Sequence, residues 1–444
     1  MRRILLSLAF LPIIINAQAQ DATPLSLQQC IDYALKHNYT VKNAALDVLI
    51  QKAQINEQVS GAYPHVNAKA EFDDFVAPQY QFIDASAFNP NAHGIQAISF
   101  TLPYAASGSI TASQVLFDGS VLVALQARKS AIDLAKLSGE VTKSAVRYNV
   151  TKAYYSLTVA QRQLDIIKIS LRVMHSYEHD IKETYKSGMA EKIDVERTTV
   201  QVNNLATDSL RLSNFLSVSE HMLKYQLGMD INASIILTDT NLEQYKMTVL
   251  SLLDVQKDYN RIPSFNLLLM QQKLNEYNVR RYKLTALPSL SVFANAGSNY
   301  AHTDFNEIAK FKNYYSNFLF GVQLNMPLFN GLLRVNQLKE AKLNVEKTQN
   351  NIEYQKQSID FVLEQSRANL RNNLSQVESQ KRNLELSNDV LDLAQKKYNA
   401  GVGSNMEVTT AQADLLKTQN NYFGALLDVI NSATDLQNAL GLFK

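Results

Sequence analysis

An eleven-residue stretch occurs twice in this chain, and the spacing between its copies limits the fold more than any other feature. The first copy, YKSGMAEKIDV, begins at Tyr185, and the second, YNAGVGSNMEV, begins 213 residues later at Tyr398. The same offset relates two Leu-Gly pairs, Leu227-Gly228 and Leu440-Gly441. A register that holds over this distance without slippage predicts one structural unit built twice.

Each copy marks the point where one helical pattern stops and another starts about five residues later. The break falls at Gly188 in the first copy and at Gly401 in the second, with Gly403 in the same turn. Because glycine can end a helix in the left-handed conformation without a Cβ clash, each copy predicts the tip of a helical hairpin. We expect a first repeat at residues 20–230 and a second at 231–444, interleaved in one fold.

Residues 1–19 have the composition of a signal peptide. Two arginines precede an apolar run from Ile4 to Ile15, and an Ala-Gln-Ala cleavage sequence ends at Ala19. This order predicts export and a mature chain that starts at Gln20, with a retained membrane anchor as the alternative.

Composition excludes several classes of protein. Charged residues make up 19% of the chain and the net charge is +2, so there is no footprint of nucleic-acid binding. The single cysteine, Cys30, excludes an internal disulfide framework and a cysteine-based zinc site. After residue 20 no apolar run reaches the ~18 residues of a transmembrane helix, although the chain could still span a membrane as strands.

Long helical patterns make up most of the sequence. Ser26 is a plausible cap for a helix at residues 25–60, and residues 251–285 predict another helix that is interrupted near Pro263. The stretch from about 120 to 185 has no Pro, which predicts a helix of about 65 residues and about 100 Å. Further helices are expected at 192–227 and 332–398 and after the second tip. The last two carry apolar residues at alternating spacings of three and four, a heptad seam that requires partner helices.

Four segments of about ten residues alternate between apolar and polar side chains, which predicts strands. They cover residues 66–73, 108–117, 289–296 and 317–326, and Phe293 is an exception on the polar side of the third. Tyrosines flank them at Tyr63, Tyr300, Tyr314 and Tyr315, where a membrane protein carries interfacial aromatic girdles. Four strands cannot close a barrel, and lipid does not tolerate an open sheet edge. The strands therefore form either a small soluble sheet or a barrel to which several chains contribute.

The order helix, strand, strand, long helix, tip, helix and Leu-Gly, given twice, resembles that of the TolC-type outer-membrane efflux proteins. The most specific segments are YNAGVGSNMEV at 398–408, SQVLFDG at 113–119, NMPLFNG at 325–331 and NALG at 438–441. The resemblance implies an α+β membrane protein whose long antiparallel α-helical hairpins form an α-barrel. It also implies that four β-strands per chain contribute to a trimeric, 12-stranded transmembrane β-barrel.

The resemblance further implies a location in the outer membrane of a Gram-negative bacterium, with a periplasmic extension in contact with two partners. These two partners are a periplasmic adaptor protein and an inner-membrane pump of RND or ABC type. The resemblance also implies that the chain contacts outer-membrane lipid and two further copies of itself in a homotrimer. The expected function is a passive exit duct in a tripartite efflux or type I secretion system. A non-conducting coiled-coil structural protein is the alternative, and the sequence does not identify the cargo.

No enzyme motif or cofactor motif is found. The sequence contains no H-E-x-x-H, no G-x-S-x-G and no phosphate-binding loop. His175 and His179 are spaced as two metal ligands on one helix face, but two ligands do not make a site and no third is predictable nearby. An exposed polar helix face is therefore the favoured interpretation of this pair.

The two tips carry acidic residues at equivalent positions, Asp194 and Glu407. One interpretation is that they stabilise helix starts through the macrodipole, by about 0.3–1 kcal/mol each. The other is that three chains arrange them as acidic rings at a constriction, where they attract cations. Many members of the resembled family carry a basic residue at the Gly403 position and a second acid at the Thr410 position, and this chain has neither.

Overall fold

The computed structural model describes residues 23–84, 86, 91, 93–239, 241–242, 249–310 and 313–443. The predicted signal peptide and the predicted start at Gln20 lie outside these residues. None of the helices in the described ranges combines the length and the apolar character needed to cross a membrane.

Eight helices and eight strands are found in the described ranges. In chain order the helices are α1 (Leu27–His37), α2 (Tyr39–Ser60), α3 (Gly119–Lys186), α4 (Lys192–Leu227), α5 (Pro263–Leu284), α6 (Phe305–Ala309), α7 (Leu333–Asn399) and α8 (Asn405–Ala439). The strands are β1 (Thr23–Leu25), β2 (His65–Asp74), β3 (Gln81–Asp84), β4 (Ile95–Ile98), β5 (Tyr104–Phe117), β6 (Ile235–Leu237), β7 (Ser289–His302) and β8 (Tyr315–Asn325). The predictions for the four long helices and for the four strands of about ten residues are confirmed.

The chain forms two compact units, and each unit contains segments from both halves of the sequence. One unit comprises the N-terminal segment up to Ala45, Ser138–Asn266 and the segment from Gln355 onward. The other comprises Leu46–Leu137 and Leu267–Tyr354 and contains the four-stranded sheet.

The core of the first unit confirms the predicted apolar seam of α8. All six residues of that seam are buried: Tyr422, Leu426, Val429, Ala433, Leu436 and Leu440. They pack in one cluster with buried residues of α1, α3, α4 and α7, among them Leu223 and Leu370. Full burial of one such leucine stabilises the fold by about 1.5–3 kcal/mol relative to exposure.

The N-terminal helical region differs in part from its prediction. Ser26 caps α1 as predicted, through a capping box with Gln29. The single helix expected at residues 25–60 is broken at Asn38, whose backbone is extended at ψ 130. The Asn38 side chain donates to the Gln226 carbonyl oxygen at 2.7 Å and accepts from the Thr40 N–H at 2.8 Å. A tertiary hydrogen bond therefore ends α1, and the local sequence pattern does not record it.

One further helix was predicted with the wrong start, and several short elements were missed. Residues 251–262 form 3₁₀ turns at Leu250–Asp254 and Tyr259–Arg261, and the helix begins only at Pro263. Proline lacks the N–H that an interior position requires, but it suits the first position of a helix. The missed elements are the parallel pair β1–β6, the hairpin β3–β4 and the short helix α6. They lie in stretches where apolar and polar residues follow no clear periodicity.

The main sheet is antiparallel with the order β2-β5-β7-β8, so β2 and β8 are its edges. Residues opposite one another share a face, and the register places Ala68, Ile110, Ala296 and Phe318 in one row. The next row over, on the other face, contains Lys69, Ser109, Gly297 and Asn317. We call these the apolar face and the polar face, and their separation confirms the predicted alternation.

Phe293, the exception on the polar face, is explained by a glycine on the neighbouring strand. Gly321 lies directly opposite Phe293, and a Cβ added at Gly321 would meet the Phe293 ring at 2.7 Å. The ring therefore lies over the glycine and covers its backbone, the arrangement by which an aromatic residue supports a glycine in a sheet.

Replacing this glycine should destabilise the sheet. We expect Gly321→Val to cost about 1–3 kcal/mol through overpacking against Phe293, and Phe293→Ala in the same chain to relieve most of that cost. The measurement is the urea midpoint of the protein folded into vesicles. Gly108→Val is the control, because nothing lies within 4 Å of a Cβ at that strand position. An equal decrease of the urea midpoint in Gly321→Val and in Gly108→Val would contradict this account.

Candidate functional site

The two hairpin tips have the same backbone geometry. Gly188 and Gly401 are left-handed, with φ of 80° and 75°. Each glycine N–H donates to the carbonyl oxygen of the tyrosine three residues earlier, at 2.9 Å in both tips. The next N–H, of Met189 or Val402, donates to the carbonyl oxygen five residues earlier, at 3.0 and 3.1 Å respectively. This pair of bonds is the glycine-based helix end known as the Schellman motif.

Gly403 is required for a different reason. A Cβ at this position would lie 2.8 Å from the Lys397 Cβ and 2.9 Å from the Tyr398 nitrogen. The Gly403 N–H also donates to the Lys397 carbonyl oxygen at 3.1 Å, which holds the turn against the end of α7. A side chain at 403 would therefore force this turn to open.

The two acidic residues of the tips are not structurally equivalent. Asp194 is half-buried, and its Oδ2 accepts from the Glu191 N–H at 3.4 Å at the start of α4. Glu407 is exposed, and only its backbone is used in capping, where its N–H donates to the Ser404 Oγ at 3.3 Å. Asp194 thus supports a helix start with its carboxylate, whereas the Glu407 carboxylate is available to solvent and ions.

Asn405 joins the two tips. This residue is buried at the start of α8, where its Oδ1 accepts from the Tyr177 hydroxyl at 2.8 Å. Its Nδ2 donates to the Asp194 backbone oxygen and to Asp194 Oδ1, at 3.2 Å each. The Tyr177 and Tyr398 rings meet edge to face, with centroids 5.9 Å apart. These contacts tie the α3–α4 hairpin to the α7–α8 hairpin, and we call the four residues the tip network.

Burial and charge keep the tyrosines of the tip network protonated. Burial raises the pKa of the Tyr177 hydroxyl well above its ordinary value, and the nearby Tyr398 and Asp194 add to the rise. Burial and then Asp194 also raise the pKa of Tyr398. Tyr177 is therefore a hydrogen-bond donor to Asn405 throughout the physiological range.

Sequence reasoning missed Asn405, because the repeat does not predict it. The position 213 residues earlier is Lys192, which has neither the burial nor the contacts of Asn405. The sequence feature that could have identified Asn405 is this difference between two turns that are otherwise equivalent. A polar residue that is present in only one copy of the repeat can form a hydrogen bond to the other copy.

Each tip also exposes one apolar side chain at its apex. Met189 and Val402 directly follow the left-handed glycines and are 78% and 79% exposed. They occupy equivalent positions in the two tips, which the sequence analysis did not single out. The two tips therefore present an exposed apolar side chain at the same position of the same turn.

The histidine pair lies on α3 before the first tip. His175 Nδ1 is 3.8 Å from Glu178 Oε2, and Glu178 Oε1 accepts from Lys182 at 2.8 Å and from Thr199 at 2.6 Å. The bonds from Lys182 and then Thr199 lower the pKa of Glu178, so this carboxylate links α3 to α4 in its ionised form. No group of three candidate metal ligands occurs in the part of the chain that the structure describes.

Loss of the Asn405 amide should loosen the tips. We expect Asn405→Leu to cost about 1–3 kcal/mol locally, because the Tyr177 hydroxyl and the Asp194 carboxylate lose a buried partner. Limited proteolysis within the turn at 187–191 should become faster, while the global unfolding midpoint changes little. Met406→Leu, at the exposed neighbouring residue, is the matched control. Equal cleavage rates in both variants would show that the amide does not hold the tips together.

Paired helical hairpins with glycine tips, together with a four-stranded sheet that has one apolar face and two open edges, define a class of envelope channel subunit. Comparisons with known proteins agree. Residues 261–442 match the family model described as outer membrane efflux protein. The chain is 24% identical over 424 residues to the probable efflux pump outer membrane protein TtgC of Pseudomonas putida, covering 94% of this chain and 83% of that protein.

Two further similarities extend this result. The chain is 21% identical to the outer membrane protein TolC of Vibrio cholerae over 76% of each protein. Its fold is similar to that of the Campylobacter jejuni CmeC outer membrane channel, with a TM-score of 0.72, 16% identity, and coverage of 94% and 85% of the two chains. The second half of the chain thus matches the outer membrane efflux protein family, and nearly the whole chain is similar to such proteins in sequence and in fold. The predicted resemblance and the predicted α+β fold class are confirmed, and the similar proteins of known structure are outer-membrane channels.

Proposed function

We propose that this chain is the outer-membrane exit duct of a tripartite efflux system, a passive conduit formed by three copies. The observation that carries the proposal is the sheet with an apolar face and two edges, β2 and β8, left open in the single chain. Unpaired backbone groups at such edges are not tolerated in lipid. Pairing of β8 with β2 of another copy satisfies both edges, and three chains then supply twelve strands to one closed barrel.

The tips are the proposed contact with the periplasmic adaptor. Met189 and Val402 offer two exposed apolar side chains at the apex of the turns. Three copies would present six such side chains, which an adaptor can cover with apolar residues of its own. Energy for transport comes from an inner-membrane pump of RND or ABC type, since the sequence has no phosphate-binding loop.

The tips are also the proposed constriction, and the two acids have different roles there. Asp194 belongs to the tip network and holds the two hairpins together. Glu407 is exposed, so in a trimer three Glu407 carboxylates form a ring that attracts cations. This proposal combines the two interpretations of the sequence, with one acid used mainly for structure and the other for ion selection.

A deletion strain tests the proposal. Loss of the gene should increase the accumulation of a fluorescent cationic dye in energised cells, and the wild-type gene on a plasmid should reverse the increase. The double variant Met189→Asp, Val402→Asp should reach the outer membrane as a trimer and still fail to reverse it, because the adaptor contact is lost. Met406→Asp, at an exposed residue away from the apex, is the control. Full complementation by the double variant would refute the adaptor contact at the apex.

A further inference from the structure

The junction between β8 and α7 contains a dipeptide with a reactivity of its own. Asn330-Gly331 is the only Asn-Gly pair in the sequence. Because glycine has no side chain, its backbone nitrogen reaches the side-chain carbonyl carbon of a preceding asparagine more easily than the nitrogen of a larger residue does. Asn-Gly is therefore the asparagine dipeptide most prone to spontaneous deamidation through a cyclic imide.

The turn at residues 330–333 leaves both reacting groups free. Asn330 and Gly331 are exposed, and a Cβ added at Gly331 would have no atom within 4 Å. Within the described part of the chain, neither the Asn330 side-chain amide nor the Gly331 N–H has a hydrogen-bond partner. The bond that closes the turn runs from the Leu333 N–H to the Asn330 backbone oxygen, at 3.2 Å. The Gly331 nitrogen can therefore approach the Asn330 side chain without the loss of a hydrogen bond of its own.

The same turn is strained at its second central residue. Gly331 and Leu332 have φ of 63° and 65°, and positive φ at both central residues is the pattern of a type I′ turn. Leucine is disfavoured in this conformation, because its Cβ lies too close to the following carbonyl oxygen. Formation of a cyclic imide requires the chain to depart from this turn geometry, and the strain at Leu332 lowers the cost of that departure.

The equivalent junction of the first repeat, between β5 and α3, has an acid in place of the asparagine. It is Asp118-Gly119, and the Asp118 carboxylate accepts from the Ser120 N–H at 2.7 Å and from the Val121 N–H at 3.2 Å. Gly119 is closely packed, since a Cβ there would lie 2.6 Å from the Leu284 backbone oxygen. An encoded acid thus caps α3, whereas the first turn of α7, all of whose residues the structure describes, has no acid.

We propose that Asn330 is a site of spontaneous deamidation in the folded protein, and that the product supplies the start of α7 with an acid that the gene encodes only in the first repeat. A negative charge is favourable at this end of a helix, because the macrodipole is positive there. The modification is separate from the proposed efflux function and does not require it.

Water is the only co-reactant of the proposed reaction. The Gly331 nitrogen loses its proton to hydroxide and attacks the Asn330 Cγ, so that a new C–N bond forms and the bond from Cγ to Nδ2 breaks. The leaving nitrogen takes up a proton and departs as ammonia. Water then opens the cyclic imide at either of its two carbonyl carbons, which gives aspartate or isoaspartate, and no electrons are gained or lost.

Peptide mapping by mass spectrometry tests the proposal on the wild-type protein. The full-length chain is purified as the oligomer in detergent, aged at neutral and at alkaline pH, and digested at mildly acidic pH, where new deamidation is slow. We expect residue 330 to change from amide to acid before any other asparagine. Its rate should rise in proportion to the hydroxide concentration, because the Gly331 nitrogen must lose its proton. An isoaspartyl methyltransferase should label part of the product.

Two asparagines in the same chain serve as internal controls. Asn313 is also exposed and left-handed, with φ of 68°, but a tyrosine follows it. Asn431 precedes a serine but lies within α8. Both should keep their amides while residue 330 is converted. In isoelectric focusing, Asn330→Gln should abolish the acidic form of the aged protein, because a glutamine closes its larger ring far more slowly, and Asn313→Gln should leave that form in full.

Two results would overturn the proposal. If Asn330 keeps its amide in the aged oligomer while urea-unfolded protein is converted under the same conditions, the folded turn protects this residue. If Asn330, Asn313 and Asn431 are converted at equal rates, the acidic form reflects general ageing, and the turn at residues 330–333 is not a distinct site.

Discussion

Phe320→Arg should prevent the protein from accumulating as a folded oligomer in the outer membrane. Phe320 is two-thirds exposed on the apolar face, at the middle of the edge strand β8. An arginine at the middle of the hydrocarbon layer costs about 2–4 kcal/mol per chain, and a trimer carries that cost three times. Because β8 is an edge strand, the substitution also lies beside the proposed contact between copies.

Gln323→Arg provides the matched control, since residue 323 lies on the polar face of the same strand. The measurement is the fraction of protein that migrates as an oligomer in unboiled gels of outer-membrane extracts. We expect a large loss for Phe320→Arg and near wild-type amounts for Gln323→Arg. Equal amounts of oligomer from the two variants would show that the apolar face is not in contact with lipid.

Neutralising the acids at the tips should have the largest effect on ion selectivity. The double variant Asp194→Asn, Glu407→Gln removes up to six negative charges from a trimer, and cation preference in bilayer recordings should fall. The effect should be larger in 0.01 M salt, where the Debye length is about 30 Å, than in 0.1 M salt, where it is about 10 Å. Block by multivalent cations should weaken for the same reason.

The single variants separate the two acids. Glu407 is exposed and Asp194 is bound within the tip network, so Glu407→Gln should account for most of the change in selectivity without a loss of stability. Asp194→Asn should mainly weaken the tips, as Asn405→Leu does. Reversal potentials that match wild type in every variant would mean that neither carboxylate lines the constriction and that the constriction lies elsewhere.

The sequence predicted those parts of the fold that depend on a repeated local pattern. The seam of α8 and the alternation in β8 each depend on one period held over many residues, and the structure retains both. The internal repeat predicted the positions of the turns, because Gly188 and Gly401 each end a helix in the left-handed conformation.

The missed features depend on contacts between distant residues. Asn38 ends α1 through a bond to Gln226, 188 residues away in the sequence, and no local pattern contains that information. Asn405 was missed because its partners, Tyr177 and Asp194, come from the other hairpin. The unequal roles of Asp194 and Glu407 also depend on this network, so equivalent positions in a repeat did not imply equivalent chemistry.

Single-channel recording of the purified oligomer in planar bilayers tests the central claim most directly. An exit duct with a narrow tip should give discrete conductance steps, and Asn405→Leu should increase their size or the time spent open, because the tip network is weakened. Non-conducting coiled-coil protein would insert or adsorb without steps. Purified trimers that associate with the bilayer but give no conductance, in wild type and in Asn405→Leu alike, would contradict the account.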